Sequence, residues 1–171
     1  MKSKEFYDDM HEGNVIVDLV RGLLQESGYL AYLNGYEERF SQIKEQLNDK
    51  VIKNSRTVRM IRSSPDLLVY DKNGKDALFV EVKMRRAPKE TSVLVGSVEQ
   101  IVCYKEFWRD AILVIAIPCG SIFYAQRFSE LETKEMFNAE TDFEKFEHFF
   151  TAVREADLER YRAKAIQAMK K

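Results

Sequence analysis

Cysteine and histidine are scarce in this 171-residue chain, which has two of each. Cys103 and Cys119 form no CxxC pair. One such chain cannot supply the four thiolates of a typical iron–sulfur cluster, and a disulfide is not expected in a reducing compartment. His11 and His148 stand far apart in sequence, so a site needing several His ligands is hard to build. No apolar run approaches the ~20 residues needed to span a bilayer, so no membrane partner is expected. The first residues, "MKSKEFYDDMHEG", lack the apolar segment of a signal peptide, and a cytoplasmic location is expected. There is no P-loop, G-x-G-x-x-G or G-x-S-x-G, so nucleotide hydrolysis and serine-hydrolase chemistry have no motif behind them. Internal repeats and low-complexity linkers are also lacking.

The length suggests one domain over 1–171, with a core at about 8–126 and a helical tail at about 141–170. A chain of this size buries roughly 70% of its unfolded surface and needs no staples. Net charge is −1, which argues against a general polyanion binder. The charge is unevenly spread, however. Residues 50–109 hold 13 Lys/Arg against 7 Asp/Glu. That basic excess is either local scatter or a rim around a site that meets phosphates.

Residues 8–26 read as a helix with an apolar stripe of Ile16, Leu19, Val20, Leu23 and Leu24, stopped at Gly28. "YEERFSQIKEQL" predicts a further helix near 36–49, and "RTVRMIRS" a strand. "SVEQIVCYKEFWRD" predicts a helix from Ser97. "AILVIAIP" suits a strand covered on both faces. "SIFYAQRF" suits one more strand. A helical tail from about Thr141 turns Phe143, Phe146, Phe150, Val153, Leu158 and Tyr161 inward. The expected fold is α/β, a mixed sheet with helices packed on it.

"SSPDLLVYDKNGKDALFVEVKMR", residues 63–85, places charges where a half-buried hairpin favours apolar residues. Asn73-Gly74 is the favoured pair for a two-residue type I′ turn, which fixes the register. Asp66 then lies across from Glu81 on one sheet face, with Cβ atoms roughly 5 Å apart. Lys83 shares that face. Two opposed carboxylates repel unless a proton or cation lies between them. Mg²⁺ favours such oxygens and keeps waters for a substrate phosphate. Asp, Glu and Lys together fit metal-assisted attack of water on a phosphodiester. The plainer alternative has Asp66 opening a strand after Pro65, with Glu81 and Lys83 on a solvated face.

"PD" at 65–66 followed by "EVK" at 81–83 resembles the PD-(D/E)XK nuclease superfamily. "QIVCY" adds to the likeness: Gln100 and Tyr104 are similar to the QxxxY motif of its RecB-like branch, and i, i+4 spacing puts both on one helix face. The archaeal Holliday-junction-resolvase and restriction-like members share the short chain. The resemblance covers about 8–118 and implies a restriction-endonuclease-like αβββαβ core, with the helix near 36–49 as an insertion. It implies a Mg²⁺- or Mn²⁺-dependent nuclease acting on DNA. Asp66, Glu81 and the Val82 carbonyl would hold the metal, and Glu12 would support it from the first helix. Asp9 is the next candidate there, and Asp18 is expected on the opposite face. Lys83 would orient or deprotonate the attacking water, or stabilise charge on phosphorus. Gln100 would help aim the chemistry, or it and Ser97 would form only a capping box. Arg85, Arg86, Lys89, Arg62 and Tyr104 would meet the nucleic acid, with Arg56 and Arg59 extending the rim, or the arginine loop would be merely solvated. Duplex cutting by one small site suggests a two-fold homodimer. The competing expectation is an inactive nucleic-acid-binding or assembly module on the same fold.

Overall fold

The computed structural model describes residues 4–35, 52, 54–71, 76–85, 92–117 and 122–169, the side chains of 4–13 excepted. Helix α1 (Lys4–Glu26) buries Ile16, Val20, Leu23 and Leu24 completely, as its apolar stripe requires. Gly28, at φ 95°, ends it, because an L side chain in that region is strained. The chain then enters β1 (Leu30–Leu33), α2 (Arg56–Arg62), β2 (Leu67–Tyr70), β3 (Ala77–Met84) and β4 (Ser92–Leu94). Helix α3 (Val98–Phe107), β5 (Ile112–Ala116), β6 (Phe123–Arg127), β7 (Met136–Asn138), β8 (Glu144–Lys145), α4 (Phe146–Phe149) and α5 (Glu155–Met169) complete the described order.

Among the described residues, six strands form one sheet in the order β1-β2-β3-β5-β6-β8. Only β3 and β5 run parallel in it. β4 and β7 form a separate antiparallel pair. The αβββαβ order of the restriction-endonuclease-like fold is present as α1, β1, β2, β3, α3 and β5. Strand β5 is buried at every position, as a strand covered on both faces must be. Its alternate residues divide the molecule into two cores. Ile112, Val114 and Ala116 face the same cluster as Val80, Val82 and the stripe of α1. Leu113, Ile115 and Ile117 face the other, with Ile101, Phe128 and Phe137. Each such side chain contributes ~1.5–3 kcal/mol on burial. Truncating one, as in Ile16→Ala, costs ~2–5 kcal/mol.

Three expectations are corrected here. "RTVRMIR" is helix α2, because Ser55 caps it, its hydroxyl accepting from Val58 N at 3.3 Å. The first strand of the sheet is instead "LAYL", just past the Gly28 stop. The tail is not one helix from Thr141: residues 144–145 pair with β6, and α4 and α5 are separate. The six tail residues expected to face inward are nonetheless all buried. The helix expected near 36–49 and the Asn73-Gly74 turn lie outside the described residues. The register derived from that turn is observed, with Leu67 opposite Val80 and Leu68 opposite Phe79.

Candidate active site

β2 begins at Leu67, opposite Val80, so β3 runs on for four residues without that neighbour. Asp66 fills the gap. Its Oδ2 accepts the Val82 N–H at 2.8 Å, replacing a ladder bond with a carboxylate. In a strand, N–H and C=O of one residue point the same way. The Val82 carbonyl therefore also points toward the Asp66 side. Asn34 fixes the turn into β2: its Nδ2 donates to Pro65 O at 3.0 Å, and its N–H to Asp66 O at 2.7 Å.

Strand alternation sends Val80 and Val82 into the α1 core and Glu81 and Lys83 to the α3 side. Glu81 is only 2% exposed. Its Oε1 accepts the Tyr104 hydroxyl at 2.6 Å and pairs with the Lys83 ammonium. Burial alone would lower the Lys83 pKa, but Glu81 and Asp66 outweigh it and hold the ammonium above the ordinary lysine range. Burial, and then the Glu81 charge, push the Tyr104 hydroxyl well above its usual value. Tyr104 thus acts as a donor to Glu81. It also stacks on Phe128, at 4.4 Å between ring centroids.

Helix α3 starts with a capping box. Ser97 N–H donates to Gln100 Oε1 at 3.1 Å, and Gln100 N–H to Ser97 Oγ at 3.3 Å. The two readings of Gln100 are compatible, because it caps the helix and also lines the cleft. A cleft of about 500 Å³ brings together Asp66, Glu81, Lys83, Gln100 and Tyr104, with Arg62 at its border. A second hollow of about 580 Å³ adjoins it and shares Arg62, Gln100 and Tyr104.

Other expected residues fall elsewhere. Among the described side chains, the α1 residues bordering the cleft are Asn14, Val17 and Asp18; Asp18 does lie opposite the apolar stripe, and that is the side the cleft meets. The Asp18 carboxylate pairs with Arg21 at 2.8 Å. The apolar stripe of α1 packs on the Val80/Val82 face of the sheet, opposite to Glu81, so that stripe does not lead to the carboxylates. The side chains of Asp9, His11 and Glu12, and residues Arg86 and Lys89, lie outside the described set. Arg85 is not presented to solvent as a bare cation. Its guanidinium donates to Met84 O at 2.7 Å, Val95 O at 2.6 Å and Leu94 O. Arg56 and Arg59 pair with Glu106 and lie over Phe107. Asn34, which pins the turn into β2, carries no motif signal in the sequence.

Asp66 and Glu81 line the same cleft, and carboxylate and main-chain carbonyl oxygens are the donors a hard cation takes. Among the described residues, no group of three or more His, Cys, Asp or Glu side chains gathers into a metal cluster.

No protein-family model matches the chain, and no curated protein does. Among solved structures it is similar to Hjc, a Holliday junction resolvase from the archaeal hyperthermophile Archaeoglobus fulgidus. Identity is 18%, the alignment covers 80% of this chain and 93% of that one, and the TM-score is 0.47. A likeness that distant carries no function across.

Proposed function

We propose that this chain is a metal-dependent nuclease that hydrolyses DNA phosphodiester bonds in the cleft of Asp66, Glu81 and Lys83. One observation carries the reading. Residues 66, 81, 83, 100 and 104, from the turn before β2, from β3 and from α3, line one cleft. Asp66, Glu81 and the Val82 carbonyl would hold Mg²⁺ or Mn²⁺. Such an ion, when bound, would polarise a phosphoryl oxygen and lower the pKa of a water. Lys83, held as an ammonium in this arrangement, suits the countering of charge that develops on phosphorus. Beside a bound cation, which would offset the two carboxylates, the same amine would orient or deprotonate the attacking water. Tyr104 orients Glu81 through its hydroxyl, and Gln100 lines the same cleft. Arg62, exposed at the border of both hollows, meets the phosphates of the strand. A two-fold dimer for duplex cutting, a single domain and a cytoplasmic setting belong to the same proposal.

A second reading has its own observation. The Lys83 ammonium already supplies a cation to Glu81. The carboxylates then need no metal, and the chain would be a nucleic-acid-binding or assembly module. A cleavage screen separates the two. Single-stranded, duplex, flapped and four-way-junction DNA are incubated with Mg²⁺ and with Mn²⁺. The nuclease reading expects at least one substrate to be cut, leaving a 5′-phosphate and a 3′-hydroxyl, and EDTA to stop the reaction. A folded protein inert on all four with both metals would support the module.

A further inference from the structure

The sequence places Arg85 in a basic run beside the EVK motif, where a phosphate contact is the obvious use. The geometry points to a different one: Arg85 is a positioning residue that ties the Lys83 strand to the start of the Gln100 helix. The inference rests on the nuclease reading for its effect on rate, but not for its effect on structure.

Arg85 directly succeeds β3, two residues beyond Lys83. Its own N–H donates to Ala116 O at 2.9 Å, so its backbone is fixed by β5. Its side chain then turns back across the chain. Nε donates to Leu94 O, and one terminal nitrogen to Val95 O at 2.6 Å. The other terminal nitrogen donates to Met84 O at 2.7 Å. Three carbonyls are thus held by one rigid planar fork, two of them on consecutive residues. A lysine has no fork that spans such a set.

The place of those carbonyls in the chain gives the strap its consequence. Leu94 and Val95 lead into Gly96 and Ser97, the N-cap of α3. A Cβ on Gly96 would lie 2.6 Å from Gln100 Oε1, so backbone and amide are in close contact there. One turn on, Tyr104 holds Glu81. A shift of residues 94–95 is therefore passed to Gln100 at once and to Tyr104 through the helix. β4 does not secure this segment to the main sheet, since its ladder runs to β7. Among the described residues, the Arg85 fork links the end of β3 to the 94–95 backbone by hydrogen bonds.

Arg85→Lys and Arg85→Gln test this together. Amide hydrogen exchange over 92–103 is measured first and needs no activity. The strap predicts lost protection there in both variants, with α5 unchanged as an internal reference. Single-turnover cleavage at saturating DNA and metal should fall by about 10-fold or more in both, the usual scale for a residue that aims a reacting group. DNA affinity and its salt dependence should stay near wild type. A phosphate anchor predicts the reverse: Arg85→Lys restores function, and Arg85→Gln weakens binding and lowers the salt slope by about one. Wild-type protection over 92–103 in Arg85→Lys, or rescue of the rate by lysine, would overturn the inference. Should the wild-type protein cut nothing, the nuclease reading fails, and hydrogen exchange still decides whether Arg85 is the strap.

Discussion

The cleft and the seam between α1 and α5 use the same three parts, a tyrosine hydroxyl, a glutamate and a cation. In the cleft, Tyr104 donates to Glu81 at 2.6 Å and Lys83 pairs with the same oxygen. In the seam, Tyr161 donates to Glu26 at 2.7 Å and Arg160 pairs with the other oxygen. A second carboxylate is present in each. In the seam it is Asp157, which takes Arg160 at 3.0 Å and Arg154 at 2.7 Å, so two carboxylates meet two guanidinium groups. In the cleft it is Asp66, which leans on a backbone N–H, and one ammonium serves both carboxylates. The seam sets its carboxylates against guanidinium groups, whereas in the cleft Asp66 also takes a backbone N–H and both carboxylates line a cavity. A Tyr–Glu–cation contact is thus no sign of function by itself. A pair of carboxylates placed next to space for a ligand is what marks the cleft.

That contrast can be broken most forcefully at its glutamates. Glu81→Ala should lower cleavage by orders of magnitude, while Glu26→Ala leaves the rate intact below its melting range. Stability sharpens the point. The sequence alone suggests that deleting one of two opposed carboxylates relieves repulsion. The structure gives each its own donors, so Glu81→Ala should cost about 1–3 kcal/mol by stranding the Tyr104 hydroxyl and Lys83. Denaturant unfolding of the metal-free protein checks this, and unchanged stability would restore the repulsion picture.

Next in size is Lys83→Ala. Lysine offers no ligand atom while protonated, so metal binding should persist. Single-turnover cleavage should fall by ~10² or more, the scale of one lost electrostatic group. A wild-type rate at saturating enzyme and metal would remove Lys83 from the mechanism.

A smaller effect separates the two tyrosines. Tyr104→Phe and Tyr161→Phe each delete one hydroxyl bond to a glutamate and should cost similar stability, about 0.5–1.5 kcal/mol. Only Tyr104→Phe should slow cleavage, because Glu81, and not Glu26, is the proposed metal ligand. Equal rates in both variants would reduce Tyr104 to packing.

The smallest effect is a pH slope. Burial, and then the Glu26 carboxylate, push the Tyr161 hydroxyl up to about 12. In the unfolded chain it ionises near 10. A raised folded pKa means that the stabilisation is fully present below pH 10 and is lost as pH rises through about 12. Wild-type protein should therefore lose more stability over that window than Tyr161→Phe does. Parallel unfolding curves for the two would contradict the coupling.

Much of the cleft is legible in the sequence because β-strand arithmetic is rigid. One turn dipeptide fixes which residues oppose, and with period two it puts Asp66, Glu81 and Lys83 on one face. The helix from Ser97 is equally legible, since its cap and its i, i+4 pair are local signals. Contacts made between elements are not. Nothing in "PKE" or "LVG" shows that Arg85 reaches the Leu94 and Val95 carbonyls. Asn34 carries no motif, yet it pins the Pro65–Asp66 turn across 31 residues. "RTVRMIR" misleads because seven residues with mixed apolar spacing fit a strand or a helix, and the Ser55 cap decides. α1 misleads differently. Its apolar stripe shows where the core is, and the core lies on the opposite sheet face from the carboxylates, so the cleft meets the polar Asn14–Asp18 side.

Asp66 and Glu81 together are proposed to hold a divalent ion. Calorimetric titration of Mn²⁺ into wild-type protein, Asp66→Asn and Glu81→Gln tests it without needing the right DNA. Both substitutions keep shape and remove one negative charge. The account predicts saturable binding to the wild type, weakened by more than about tenfold in each variant, since even outer-shell partners of a metal are worth that much. Unchanged Mn²⁺ affinity in both variants would contradict it.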